Sequence, residues 1–99
     1  MDWQLKNDYV LIHCGDHMNL ACIQDHKKIL SEALMKNKPI TLEADKINSI
    51  DTASLQLLLV FTQEATRRKI QWEWKAPSFT FLYVANLTGL KELLSLPKE

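Results

Sequence analysis

Four side chains of the kind that bind zinc fall close together in the first third of the sequence. Cys14, His17, Cys22 and His26 follow the spacing Cys-x2-His-x4-Cys-x3-His, and thiolates and imidazoles are the ligands that zinc prefers. However, Cys14 would end a buried strand, and Cys22 and His26 would lie one turn apart on the inner face of a helix. Free cysteine is among the most often buried residue types. We therefore predict that Cys14, Cys22 and His26 pack in the core and that the chain holds no metal or other cofactor.

A second set of polar residues stands where a polar turn opens into an apolar helix. Asp51 is a good N-cap residue, because its carboxylate can accept hydrogen bonds from the unpaired backbone N–H groups of the first turn. Thr52 and Ser54 follow within that turn, at the positive end of the helix dipole. A hydroxyl there can belong to an anion site or can itself carry a phosphate. Local chemistry alone favours the simpler interpretation, in which the helix needs a cap and Asp51 provides it.

The same stretch resembles the signature of a known family. Ile50-Asp51-Thr52-Ala53-Ser54-Leu55-Gln56-Leu57-Leu58-Leu59 is similar to the signature of STAS domains, which occur in anti-sigma factor antagonists and sulfate transporters. That signature reads Val/Ile-Asp-Ser/Thr-Ser/Ala/Gly-Gly-Leu and is followed by an apolar helix. Residues 39–44 and 70–78 are similar to the strands before and after it, and residues 87–90 are similar to the closing helix. The resemblance thus covers nearly the whole chain and implies a single STAS domain over residues 1–99.

The resemblance implies a regulatory domain that binds a protein partner and has no catalysis of its own. In anti-sigma factor antagonists, the second residue after the motif aspartate is a serine that a kinase-type anti-sigma factor phosphorylates. A phosphate adds about −1.5 to −2 charges to a docking surface and can therefore remove binding. Here that position is Ala53, which cannot be phosphorylated and departs from the family pattern. Thr52 matches the first Ser/Thr of the motif, and Ser54 replaces the usual glycine.

Three interpretations follow from the resemblance. The first is a stand-alone STAS protein of partner-switching or chemotaxis-type signalling. Its partner would be a histidine-kinase-like ATPase such as an anti-sigma factor, and phosphorylation would be lost or moved to Thr52 or Ser54. The second is the cytoplasmic STAS subunit of a bacterial lipid-transport ABC complex, in which the motif threonine docks onto the transporter's ATPase and permease. The third is a nucleotide- or anion-binding domain, but Lys46 is the only basic residue near the motif in the sequence.

The candidate binding surface combines the first turn of the long helix with its outer face and the preceding loop. On the outer face, Val60 interrupts a polar stripe, so it is a candidate partner contact, although single exposed valines are common. The stripe consists of Gln56, Val60, Gln63, Glu64 and Arg67. The loop contributes Lys46, Asn48 and Ser49, and the first turn contributes Asp51, Thr52, Ala53 and Ser54.

Composition and length exclude several other classes of function. The chain has 99 residues, of which 46% are hydrophobic and 24% charged, which is typical of one globular domain. Twelve basic residues balance twelve acidic ones, so there is no net positive field for nucleic acid or an anionic membrane surface. No apolar run approaches the roughly 20 residues of a membrane span, and the N-terminus lacks the pattern of a signal peptide. With two cysteines expected to be free thiols, these features predict a cytoplasmic protein that does not insert into the membrane.

The sequence also lacks the motifs of common enzymes. Only two glycines, Gly15 and Gly89, are present, so a phosphate loop of the Walker or Rossmann kind cannot be built. Neither a Gly-x-Ser-x-Gly elbow nor a His-Glu-x-x-His motif occurs. We therefore predict that the protein is not an enzyme.

Hydrophobic periodicity predicts that strands and helices alternate along the chain. Short apolar runs indicate strands, and apolar residues at helical spacing indicate helices with Asn19, Asp51 and Ser78 as N-caps. The predicted strands span residues 3–5, 9–14, 40–42 and 70–75, and the predicted helices span residues 20–36, 52–68, 79–87 and 90–94. This order favours an α/β fold of the STAS type, with a mixed or parallel sheet of about four strands and helices packed against it.

Overall fold

The computed structural model describes residues 1–97, and within them six strands and three α-helices follow one another. The strands are β1 (Asp2–Leu5), β2 (Val10–His13), β3 (His17–Met18), β4 (Ile40–Glu43), β5 (Ser49–Ile50) and β6 (Trp72–Lys75). The helices are α1 (Ile23–Leu34), α2 (Thr52–Arg67) and α3 (Phe79–Leu87), and a 3₁₀ turn (Leu20–Cys22) leads into α1.

Four strands form one mixed sheet in the order β1-β2-β4-β6. The β1–β2 pair is antiparallel, whereas β2–β4 and β4–β6 are parallel. A right-handed crossover through a helix is the usual way to join parallel neighbours, and α1 and α2 occupy those two connections. The predicted α/β architecture, a mixed sheet of about four strands with helices packed against it, is therefore confirmed.

The two faces of the sheet differ as the alternation of side chains along a strand requires. Val10, Ile12, Ile40 and Leu42 are buried on the face that the helices cover, with Trp72 and Trp74 half-buried beside them. The opposite face carries a row of residues in register across the strands, Asp2, His13, Glu43 and Lys75. Their alternating charges suit cross-strand pairing on a sheet face that is open to water.

The central pair of that row is in direct contact. Nδ1 of His13 lies 2.8 Å from Oε1 of Glu43, and Nζ of Lys75 lies 3.6 Å from Oε2 of Glu43. The hydrogen bond with His13, helped by the nearby charges of His13 and Lys75, lowers the pKa of Glu43 below its ordinary value. Polar contacts thus link β2, β4 and β6 at this end of the open face.

The helices bury the faces that their sequences predict. In α1, His26, Leu30, Ala33 and Leu34 are buried. In α2, the buried residues are Ser54, Leu55, Leu58, Phe61, Thr62 and Ala65, whereas Thr66, which helical spacing places on the same face, is exposed. In α3, Phe81 and Ala85 enter the core. Among residues 1–97, no helix is both long enough and apolar enough to cross a bilayer.

The capping predictions hold for two helices and fail for one. Ser78 caps α3, because its Oγ accepts from the N–H of Phe81 at 3.1 Å and donates to the carbonyl of Ile47 at 2.6 Å. The prediction that Asn19 caps the first helix is wrong. Asn19 precedes the 3₁₀ turn and its side chain makes no capping hydrogen bond, and α1 begins only at Ile23.

The predicted helix over residues 90–94 is also wrong, because residues 91–95 form irregular turns. Gly89 ends α3 in the left-handed region at φ 76, and the N–H of Leu94 then donates to the carbonyl of Leu90 at 2.9 Å, which closes a single turn. That turn does not continue, because Ser95 adopts a positive φ of 56. The carbonyl of Leu94 accepts a hydrogen bond from Nε1 of Trp74 at 2.8 Å. The segment therefore packs Leu94 and Leu96 into the core through tertiary contacts.

Candidate partner-binding site

Asp51 links the first turn of α2 to a distant part of the chain. Its backbone is extended, with φ −100 and ψ 173, and its Oδ1 accepts from the N–H of Ser54 at 2.9 Å, so the predicted N-cap is confirmed. Its other oxygen, Oδ2, accepts from the N–H of Leu20 at 2.8 Å. One carboxylate therefore serves as a helix cap and also ties down the segment that precedes α1.

The hydrogen bonds of Asp51 explain the direction of its pKa shift. Burial acts to raise the pKa, but the hydrogen bonds from Ser54 and from the N–H of Leu20 outweigh it, so the pKa lies below its ordinary value. These bonds favour the ionised form, because a carboxylate accepts from an N–H more strongly than a protonated acid does. The cap therefore carries a negative charge at neutral pH, at the positive end of α2.

A two-strand parallel pair brings the two loops of the site together. In this pair, β3 and β5 place His17 opposite Ser49 and Met18 opposite Ile50. The N–H of Asp51 donates to the carbonyl of Met18 at 3.1 Å. Nδ1 of His17 lies 2.7 Å from Oγ of Ser49. The loop before α1 and the loop before α2 thus form one continuous surface around the helix N-terminus.

This pairing also places Asp16 near His17 and Ser49, but the arrangement is not a catalytic triad. Oδ2 of Asp16 lies 3.8 Å from Nε2 of His17, beyond hydrogen-bond distance. The N–H groups of Asn48 and Ser49 both donate to the carbonyl of Asp16, so neither is free to stabilise an oxyanion. All three side chains contribute to an exposed polar surface.

The hydroxyls of the motif differ sharply in accessibility. Thr52 is exposed and Ala53 is half-buried. Ser54 is 0% exposed, and its Oγ has no hydrogen-bond partner among residues 1–97. Of the two hydroxyls that the sequence singles out, only that of Thr52 can be reached by another protein in the folded state.

The remaining predicted residues of the site lie on the surface. Lys46, Asn48 and Ser49 are exposed in the loop before α2, and Gln56 is exposed one turn after Thr52. Val60 is 61% exposed and borders a cleft of about 270 Å³ between α1 and α2, whose apolar walls include Leu57 and Phe61. The structure therefore aligns Thr52, Gln56 and Val60 on one outer face of α2, because residues four apart share a helix face.

The outer face of α2 is uncharged along most of its length and becomes charged at the C-terminal end of the helix. Glu64 accepts from Nη2 of Arg67 at 2.6 Å and from Nε of Arg68 at 2.7 Å. These hydrogen bonds lower the pKa of Glu64 to about 2. The charged groups of this face are thus paired with one another at the C-terminal end, whereas the face from Thr52 to Gln63 is uncharged.

Leu20 is part of the site and was not predicted from the sequence. Its side chain is 66% exposed, and its N–H is held by Asp51. The sequence suggested that this residue belongs to a helix start, which gives no reason to place it beside a motif 31 residues later. No signal in the sequence marked it.

A wider cleft of about 610 Å³ lies elsewhere, at the beginning of β4 and β6. Pro39, Lys69, Ile70 and Trp72 contribute to its lining, and none of the predicted site residues does. The cleft lies at the amino ends of two parallel strands. Ligands of parallel sheets usually bind at the opposite, carboxyl ends of the strands. We assign it no role.

The four potential zinc ligands remain apart from one another or buried. Cys14 is 0% exposed, and burial raises the pKa of its thiol to about 12. His17 is exposed and bonds to Ser49. The prediction that Cys22 lies on the inner face of a helix is wrong, because Cys22 ends the 3₁₀ turn before α1 and is only half-buried. Within residues 1–97, no three His, Cys, Asp or Glu side chains are grouped as metal ligands would be.

His26 is expected to make the stability of the protein fall between about pH 7 and about pH 5. Burial, together with the charge of the N-terminus, lowers its pKa below 6.5, although Asp25 opposes the shift. As the pH falls, the unfolded chain therefore takes up a proton on His26 before the folded chain does, and the folded state loses stability. The midpoint of urea unfolding, measured across this range, checks the sign.

Two variants separate His26 from the other titrating groups. His26→Leu should flatten the pH dependence in this range, because the histidine that charges on unfolding is gone. His17→Gln removes an exposed histidine and should retain the slope of the wild type. An unchanged slope in His26→Leu would contradict the assignment.

Comparison with known proteins adds evidence on the fold only. The sequence matches no protein-family model and no curated protein. The structure is similar to the NMR structure of the protein TM1081, with a TM-score of 0.78 over 97% of this chain and 78% of that chain. The two sequences are 20% identical, so this similarity shows a shared α/β fold. The class that fold and site define is an α/β domain with a mixed four-strand sheet and a capped, surface-exposed helix N-terminus.

Proposed function

We propose that the protein is a non-catalytic regulatory STAS domain that binds a protein partner through the N-terminal end of α2. The partner is a kinase-type anti-sigma factor or a related histidine-kinase-like signalling ATPase. In this proposal the protein acts in the cytoplasm, where free thiols such as Cys14 and Cys22 stay reduced. The partner contacts the first turn of α2, the outer face of that helix and the loop at residues 45–49.

The observation that carries the proposal is the exposed, uncharged face of α2. Thr52, Gln56, Val60 and Gln63 follow one another along it, and all are exposed. An ordinary solvated helix face is rich in charged residues, as the outer face of α1 is with Asp25, Lys27 and Lys28. Depletion of charge around an exposed apolar residue is typical of the central part of a protein interface.

Thr52 is the residue through which such an interface could be switched. Its hydroxyl is exposed in the first turn of α2, next to the carboxylate of Asp51. A phosphate there would add about two negative charges to an interface in which charged side chains are few. Desolvation of that charge and repulsion by acidic groups of the partner would both oppose binding.

A second candidate function is a cytoplasmic STAS subunit of a lipid-transport ABC complex. The sequence Asp51-Thr52-Ala53 fits this alternative, because a threonine followed by alanine provides a docking hydroxyl without a phosphorylatable neighbour. The same exposed face of α2 would then contact the ABC ATPase and its permease. This alternative predicts a permanent subunit interface in place of a switched one.

A nucleotide or anion site at the same helix end is less well supported. The carboxylate of Asp51 already accepts from the N–H of Ser54, so the N-terminus of α2 is occupied by a negative charge. An incoming phosphate would be repelled by that carboxylate, and Lys46 is the only basic side chain in the adjoining loop.

The test is a comparison of partner binding by the wild type and by Thr52→Glu. The tagged protein is used to capture partners from its native cell, and the affinity for the captured ATPase is then measured by calorimetry. We expect Thr52→Glu to weaken binding at least about tenfold, because the added charge lies in the interface. Gln71→Glu adds the same charge at an exposed position outside the site and should bind like the wild type.

The identity of the captured ATPase separates the two candidate functions. A histidine-kinase-like ATPase supports the signalling proposal, and an ABC ATPase with its permease supports the transport alternative. Equal affinity of Thr52→Glu and Gln71→Glu for that partner would contradict a docking site at the N-terminus of α2.

A further inference from the structure

Helix α3 is apolar on both its inner and its outer face. Its nine residues, Phe-Thr-Phe-Leu-Tyr-Val-Ala-Asn-Leu, include no charged side chain. Phe81 and Ala85 point into the core and Leu82 and Val84 pack against it, so the fold of one chain explains these four residues. It does not explain the large apolar side chains that remain exposed, which usually mark a surface that another molecule covers. In α1, by contrast, the outer face is charged.

The outer face of α3 carries three large apolar residues in one line. Phe79 is 71% exposed, Tyr83 is 54% exposed and Leu87 is 66% exposed. They are spaced four residues apart and therefore lie on one face over about 12 Å. The rings of Phe79 and Tyr83 are stacked, with centroids 5.9 Å apart and planes at 18°. We call these three residues the α3 stripe.

The α3 stripe is symmetric about its central residue. Phe79 lies four positions before Tyr83, and Leu87 lies four positions after it. If two copies of α3 pack antiparallel about a two-fold axis at Tyr83, each Phe79 faces the Leu87 of the other copy, and the two Tyr83 rings meet at the axis. Such an isologous contact uses the same three residues twice and leaves none of them uncovered.

The size and charge of the stripe suit a second copy of the chain. From the exposed fractions, the stripe offers roughly 350 Å² of apolar surface per copy, or roughly 700 Å² in a pair. An interface that is about three-fifths apolar would then total about 1,200 Å², the lower limit for specific complexes. The chain has a formal net charge of zero and the stripe has no charge, so two copies do not repel each other.

We propose that the protein forms a two-fold homodimer through antiparallel packing of α3, with Tyr83 on the axis. This interface is separate from the partner-binding face of α2 and goes beyond the proposed function. The α3 helix begins after its cap Ser78, whose hydroxyl donates to the carbonyl of Ile47 in the loop before β5. The dimer interface uses the three residues of the α3 stripe, and none of them belongs to the partner-binding face of α2.

The test measures the mass of the 99-residue chain by sedimentation equilibrium from about 1 µM to about 1 mM. We expect the wild type to pass from one chain to two chains in this range, as the small interface implies. Tyr83→Glu places two like charges at the axis and should remain a monomer throughout. Met35→Glu adds a charge at another exposed apolar position, just after α1 and outside both proposed interfaces, and should dimerise like the wild type.

A pair of complementary variants tests the antiparallel geometry. Phe79→Lys and Leu87→Glu should each weaken self-association, because each puts a charge against an apolar side chain. When the two variants are mixed, the introduced ammonium group of one chain faces the introduced carboxylate of the other. A one-to-one heterodimer should therefore form and should weaken with added salt. All four altered side chains are exposed, and an unchanged circular dichroism spectrum confirms that each variant is folded.

The proposal is overturned by either of two results. A wild type that remains a monomer up to about 1 mM would show that another molecule covers the stripe. A wild type that dimerises while Tyr83→Glu also dimerises, or while the mixed variants stay apart, would place the two-fold interface elsewhere.

Discussion

Replacing Ser54 by glutamate is expected to lower the free energy of unfolding by about 3–5 kcal/mol. The same substitution two residues earlier, Thr52→Glu, is expected to change it by no more than about 0.5 kcal/mol. Both variants mimic a phosphate in the first turn of one helix, and they differ only in where the charge lies. Ser54 is 0% exposed, whereas Thr52 is exposed.

The cost at Ser54 comes from an unpaired charge in the core. A glutamate at the third residue of a helix usually reaches back to the N–H of the capping residue. Here the N–H of Asp51 already donates to the carbonyl of Met18 at 3.1 Å, so that contact is taken. The carboxylate would be left without a donor, beside the negative charge of Asp51. At Thr52 the added charge is in water and close to the positive end of the helix dipole.

Urea unfolding of the two variants gives the difference directly. Ser54→Ala is the matched control and should unfold within about 1 kcal/mol of the wild type, because its hydroxyl has no hydrogen-bond partner among the described residues. A Ser54→Glu variant as stable as the wild type would mean that the side chain can turn outward. Ser54 would then be open to phosphorylation without unfolding.

Removing the carboxylate of Asp51 is expected to cost about 2–3 kcal/mol of stability. In Asp51→Ala, the N–H of Ser54 loses its cap and the N–H of Leu20 loses its acceptor. A lost cap costs about 1 kcal/mol and a lost charge-assisted hydrogen bond about 1.5 kcal/mol or more. The loss should therefore exceed that of an ordinary helix cap.

A serine at the same position separates the two roles. Asp51→Ser retains a good N-cap oxygen for the first turn, but it has no second oxygen to accept from Leu20. It should therefore recover about half of the stability that Asp51→Ala loses. If Asp51→Ala unfolds with the same free energy as the wild type, Asp51 is not needed for folding and its role is in partner binding. If Asp51→Ser is no better than Asp51→Ala, the cap itself contributes little.

Local chemistry made the helix of the site predictable. The cap by Asp51 depends on residues three apart, and the outward positions of Gln56 and Val60 depend on residues four apart. Both relations are visible in the sequence as spacing. The same reasoning gave the cap at Ser78 and the strand predicted over residues 70–75, of which Trp72–Lys75 form β6.

Features that depend on distant contacts were not predictable in this way. The bond between Asp51 and Leu20 accompanies the pairing of β3 with β5, which joins segments about thirty residues apart. The two strands have two residues each, too short to give a period. The turns at residues 91–95 likewise depend on a distant residue, because the indole N–H of Trp74 donates a hydrogen bond to the carbonyl of Leu94.

The shared carboxylate of Asp51 makes two parts of the surface thermodynamically linked. A molecule that shifts the segment of Leu20 removes one of the two donors of that carboxylate, and a change at the first turn of α2 alters the other. This coupling is reciprocal. If modification of Thr52 changes the free energy of binding at the loop of Leu20, binding at that loop changes the free energy of modifying Thr52 by the same amount. A docking partner that covers Leu20 would therefore alter how readily Thr52 is modified, even without touching it.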